Sequence, residues 1–143
     1  PITEQFTVPE TPVGVLGSVT LHQVGFTYEI NTLSIDLLWS TQTLLDRDYR
    51  VFVHITPLND LQPITQDDGL ITNGRYPTGW WLPDEIVPES RRVSLENLPA
   101  GDYRINIGVY TPEAGRLQGA SGDFLTVENF TLTEDRRMIF SDN

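Results

Sequence analysis

The chain has 143 residues, 20 acidic and nine basic side chains, a formal net charge of −11 and no cysteine. At this length one domain can bury an ordinary core without staples, and the missing cysteines remove disulfides, thiolate metal sites and cysteine nucleophiles. So acidic a chain excludes nucleic acid as a partner, because binding a polyanion depends on Lys and Arg displacing counterions, and it disfavours an anionic lipid surface for the same reason.

The apolar fraction of 38% is that of a folded domain. The apolar runs are only a few residues long, too short to span a bilayer, so direct membrane insertion is not expected. No signal peptide is visible. The chain opens at Pro1 without a methionine, as expected of a piece of a longer protein.

Residues 1–14 hold three prolines and no periodicity and read as a linker or N-terminal arm. The domain proper is expected over residues 15–132, where short strands and turns alternate and no window keeps a helical period. Leu16–Val24 alternates and then slips in phase, with a bulge expected at Gly25. Leu33–Ser40 places Leu33, Ile35, Leu37 and Trp39 on one face. Tyr49–Thr56 sets Val51, Val53 and Ile55 against Phe52, His54 and Thr56. Leu61–Gln66 is a weaker strand after a turn at 57–60. Ile86–Leu95 turns Val93 and Leu95 inward and leaves Arg91 or Arg92 to solvent. Asp102–Tyr110 alternates most regularly, after the turn Leu98-Pro99-Ala100-Gly101. Asp123–Leu132 closes the series, and the polar tail 133–143 is expected to fray.

About seven to eight short strands with turns at this frequency predict an all-β, immunoglobulin-like antiparallel sandwich. A closed barrel is the second architecture. Tyr103 stands just after the turn that starts a late strand, the position of a tyrosine corner. Trp39 is the natural core pin.

The densest group of chemically able residues is Arg75-Tyr76-Pro77-Thr78-Gly79-Trp80-Trp81-Leu82-Pro83-Asp84-Glu85. Tyr76, Trp80 and Trp81 could form a stacking platform for sugar rings, with Arg75 and Asp84 bonding to hydroxyls. The competing reading is a hydrophobic plug. An indole covers about 200 Å², so each one left exposed forgoes roughly 5 kcal/mol at most, and burial of at least one is expected.

Other motifs carry less. Asp46-Arg47-Asp48 has the pattern that binds metal–nucleotide in glycosyltransferases but lacks a nucleotide-binding context, and it reads as a turn. Asp67-Asp68-Gly69 lacks the spaced ligands and distal Glu of a calcium loop and also reads as a turn. His22 and His54 have no ligand or nucleophile partner at a telling spacing. Neither a catalytic residue, a metal site nor a cofactor is expected.

Tyr49-Arg50-Val51-Phe52-Val53-His54, then Gly74 through Val87, then Leu98-Pro99-Ala100-Gly101-Asp102-Tyr103-Arg104-Ile105, then Gly108-Val109-Tyr110 with Gly115-Arg116-Leu117 follow one another in that order. The ordered set, covering roughly residues 15–132, resembles the extracytoplasmic C-terminal β-sandwich domains of bacterial multi-span membrane proteins of the dolichyl-phosphate-mannose mannosyltransferase type. That resemblance implies a non-catalytic accessory domain outside the membrane, beside a glycosyltransferase whose catalytic acids lie elsewhere. It implies glycan, or the membrane-embedded part of a parent protein, as partner. This chain departs from the family in carrying Asp84 where a glycine often precedes the glutamate. Two further readings stand beside it: a purely structural or protein-interaction sandwich, and, least favoured, a small hydrolase.

Overall fold

The computed structural model describes residues 6–141. These form ten strands and two short 3-10 turns, with no α-helix among the described residues, so no helix is long and apolar enough to cross a membrane. One sheet has the order β1 (Gly14–Leu16), β2 (Val19–Glu29), β3 (Thr32–Thr41), β6 (Val87–Ser94). The other runs β10 (Met138–Phe140), β9 (Leu125–Leu132), β7 (Gly101–Thr111), β4 (Arg50–Pro57), β5 (Thr65–Leu70), with β8 (Gly115–Arg116) on β7. All pairings are antiparallel. The chain crosses between sheets from β3 to β4, from β5 to β6 and from β6 to β7. The protein is thus an immunoglobulin-like all-β sandwich.

β5 and β6 lie side by side, with the Thr65 hydroxyl donating to the Ser94 carbonyl at 3.0 Å. They do not pair, so the two sheets do not close into a barrel. β1, β8 and β10 have only two or three residues each. That is too short for alternation to reveal, which explains ten strands where about seven to eight are legible.

The inward faces are the expected ones. Leu33, Ile35, Leu37 and Trp39 meet Val51, Val53, Ile55, Ile105, Ile107 and Val109 in one buried cluster. The Tyr103 hydroxyl donates to the Pro99 carbonyl at 2.6 Å, tying down the β6–β7 connection as a tyrosine corner.

Three expectations need correction. The β2 bulge falls between Leu21 and Gln23, at His22, not at Gly25. It keeps Val24, Phe26 and Tyr28 on the inner face with Leu21. The strand expected over Leu61–Gln66 forms instead over Thr65–Leu70, so Asp67-Asp68-Gly69 is strand, not turn. This polar edge strand owes its place to pairing with β4 and not to its own pattern. The tail does not fray at Met138–Phe140, which pairs with β9. Arg136 anchors it by donating to Asn31 Oδ1 at 2.8 Å, to the Leu98 carbonyl at 2.6 Å and to the Leu95 carbonyl.

β6 leaves one of its two arginines to solvent, as expected. Its alternation Val87, Glu89, Arg91, Val93 is buried throughout, and only Arg92 of the arginine pair faces solvent. An ion pair therefore lies inside the sandwich, with Arg91 Nη1 3.1 Å from Glu89 Oε2. Glu89 also accepts from Trp39 Nε1 at 2.8 Å and from the Thr72 amide at 2.6 Å. Arg91 also donates to Asp67 Oδ2 at 2.7 Å, the Leu70 carbonyl at 3.1 Å and Asn73 Oδ1 at 3.2 Å. Gly69 leaves the space, since a Cβ there would sit 3.2 Å from Arg91 Nη2. Burial pushes the Glu89 carboxyl above the usual carboxylate range, against the pull of its three donors.

Glu89→Ala should cost about 3 kcal/mol, because it removes the acceptor shared by Trp39 Nε1, the Thr72 amide and one arm of the buried Arg91 guanidinium. The double change Glu89→Met with Arg91→Met should cost less than the sum of the single Met changes. Urea unfolding of these four variants beside the unsubstituted protein checks both, and strictly additive costs would show that the pair is not coupled.

Candidate functional site

The aromatic loop grows directly out of this buried network. After β5 the chain turns through Thr72, Asn73 and Gly74 with φ of 60°, 53° and 79°. Consecutive left-handed residues are costly, and a β-branched threonine especially so. The turn is held from below by Glu89 on the Thr72 amide and by Arg91 on Asn73 and Leu70. It is closed on top by Thr72 Oγ1, which accepts the Tyr76 amide at 2.8 Å.

A second short turn, Thr78–Trp80, follows. Buried Thr78 staples it to the β3–β4 loop. Its Oγ1 accepts the Tyr49 amide at 2.8 Å and donates to the Arg47 carbonyl at 2.9 Å. Asp48 Oδ1 accepts the Gly79 amide at 3.2 Å. Asp46 is exposed and bonded to Arg47 at 3.3 Å. Asp46-Arg47-Asp48 is thus a brace for the aromatic loop.

The structure separates the two indoles. Trp81 is fully buried and donates through Nε1 to the Tyr76 carbonyl at 2.9 Å, so it offers no face to solvent. Trp80 is 66% exposed. Tyr76 stands edge-on to it, with ring centroids 6.5 Å apart. The Tyr76 hydroxyl donates to Glu85 Oε1 at 2.7 Å, and burial together with that carboxylate pushes its pKa up to about 12. Arg75 and Asp84, near the start and the end of the loop in sequence, are exposed. Asp84 has φ of 65°, and its amide donates to the Thr41 carbonyl at 2.9 Å.

Arg75 and Tyr76 also line a cleft of about 370 Å³ against β6, with Thr72, Asn73 and Ser90 contributing polar groups and Val87 and Pro88 apolar ones. Of the five residues singled out in the sequence, Arg75, Tyr76, Trp80 and Asp84 remain at the surface, with Tyr76 against the Trp80 ring, and Trp81 is core. Thr72, Asn73 and Ser90 were missed. Asn73-Gly74 is a readable left-handed turn signal, but nothing local places Ser90 across from it.

Chemically the site offers one broad apolar face, a cation, a carboxylate and several neutral hydrogen-bonding groups. His22 is elsewhere, bonded to Ser40 Oγ at 2.7 Å. Among the described residues no three His, Asp or Glu side chains gather in a way that could hold a metal ion. No family model matches this chain, and no curated protein matches it.

Trp81→Ala should cost about 3–5 kcal/mol, whereas Trp80→Ala should change stability by less than about 0.5 kcal/mol. Thermal unfolding of both variants checks the division. Asp84→Gly should raise stability by roughly 0.5 kcal/mol, because glycine relieves the left-handed strain at some cost in chain entropy. A lowered urea midpoint for that variant would show that the aspartate side chain contributes more than its backbone strain removes.

Proposed function

We propose that this chain is a non-catalytic accessory module that works outside the membrane as part of a larger membrane glycosyltransferase-like protein, and that it binds carbohydrate at the Trp80 loop. The observation that carries the reading is the exposure of Trp80 on a braced loop. Leaving that indole in water forgoes roughly 3 kcal/mol of burial, which stacking on a sugar ring recovers. The ordering cost of binding is small where the loop is already held. Arg75, Tyr76 and Asp84, with Asn73 and Ser90 in the adjoining cleft, supply the polar groups that fix a ligand's orientation. The extracytoplasmic setting and the membrane-bound parent rest on the sequence resemblance.

A second reading, a spacer or protein-docking sandwich, is favoured by Trp81. That residue makes the same segment a structural plug, so its aromatic content is partly explained without a ligand.

Trp39 and Trp81 are both fully buried, so Trp80 is the indole that solvent reaches. Titration of tryptophan fluorescence with soluble oligosaccharides, with and without calcium, should give a saturable shift, and the heat of binding of the same sugar should be lost in Trp80→Ala while the fold is kept. A flat response across the panel, with Trp80 still quenched by iodide, would remove the carbohydrate reading and leave the docking one.

A further inference from the structure

A second concavity lies on the solvent side of the larger sheet, away from the Trp80 loop. Its floor is Phe52 and His54 of β4 and Asn106 of β7. Leu61, from the β4–β5 connection, walls one side, and Arg116, Asp123 and Phe124 wall the other. It encloses about 210 Å³.

This face is built unlike an ordinary solvated sheet surface. Phe52 points away from the core side chains Val51 and Val53, yet it is only 3% exposed. The Arg116 guanidinium covers it, 4.4 Å from the ring centroid. Gly108 makes room for it, since a Cβ there would fall 2.1 Å from the ring. The His54 ring stacks on Phe52 with centroids 4.2 Å apart. Burial, then Arg116, hold His54 below the ordinary histidine value, which favours the uncharged imidazole with its one donor and one acceptor. Asn106 is 3% exposed, and its Oδ1 accepts from Thr126 Oγ1 at 2.7 Å, which orients the amide and leaves its Nδ2 hydrogens for the cavity. Arg116 and Asp123 are partly exposed and only loosely paired, at 3.5 Å.

We propose that this cavity is a binding site for one pyranose residue of a neutral glycan. Its apolar face rests against Phe124 and Leu61, and its hydroxyls bond to Arg116, Asp123, Asn106 and His54. A loosely paired guanidinium and carboxylate present donors beside acceptors, which suits vicinal hydroxyls that each donate and accept. An anion fits poorly, because Asp123 is in the wall, Asp68 acts on His54 from nearby and the chain carries −11 overall. The volume holds one ring and no more than that, so chain length would be sensed elsewhere.

The test uses the two histidines as reporters. His54 is in the cavity and His22 lies on the other sheet, bonded to Ser40. Imidazole NMR resonances are followed while the 143-residue chain is titrated with methyl glycosides of glucose, mannose, galactose and N-acetylglucosamine, and with acetate and phosphate. The expected result is a saturable His54 shift with at least one glycoside and a still His22. Asp123→Ala and Phe124→Ala should each weaken that binding at least tenfold, while Trp80→Ala leaves it unchanged. A still His54 with every glycoside overturns the proposal, as does a response to acetate or phosphate alone, or a glycoside response indifferent to both wall variants. Because the Trp80 site is read by fluorescence and this one by His54, either can fail without the other.

Discussion

The interaction on which the rest depends is the ion pair buried between the sheets, Glu89 with Arg91. Two charges taken out of water are expensive unless every donor and acceptor finds a partner. Here the partners are spread across the molecule: Trp39 from the neighbouring strand, Asp67 and Leu70 from the edge of the opposite sheet, Thr72 and Asn73 from the turn beyond it. A single strand, β6, thereby joins both sheets and one of the loops at the end of the sandwich. Apolar residues in the same positions would bury comparable surface, but they would give the backbone of the turn nothing to bond to.

That is why the strained turn and the charge pair belong to one device. Three left-handed residues in succession persist only where surrounding bonds over-determine them. Glu89 and Arg91 supply those bonds from inside, and Thr78 and Asp48 brace the next turn from outside. The result is a loop held rigidly enough to keep an indole in water. Trp81 fills the core beneath and Trp80 stands above. Trp80 ends the short turn and Trp81 leaves it in extended backbone, and at that change of conformation the two neighbouring side chains part, one to solvent and one to the core.

The larger sheet shows the complementary construction. Where the Trp80 loop exposes an aromatic face, the outer surface of β4 and β7 encloses one, with Arg116 and the β4–β5 connection roofing Phe52 and His54. Both places lie outside the inner core, and both use tertiary contacts to hold aromatic rings where solvent or a ligand can reach their neighbours.

Alternation determined the strands by itself wherever one face is apolar and the other polar. β3, β4 and β7 could be read residue by residue, and with them the sandwich and the tyrosine corner at Tyr103. Their inner side chains bury the same way whatever the loops do. Three kinds of feature were decided only in three dimensions. β5 is polar and exists because β4 offers it an edge. β10 is too short to have a pattern and exists because Arg136 fastens the turn before it. The inward course of Glu89 and Arg91 follows the alternation of β6 faithfully, but charge alone argues for solvent. Burial became tolerable only once Trp39, Asp67, Thr72 and Asn73 arrived from distant parts of the chain. The site divides in the same way. Its aromatic residues are adjacent in sequence and were legible, whereas Thr72, Asn73 and Ser90 were not, because local sequence records which groups a chain carries and only packing decides which of them meet.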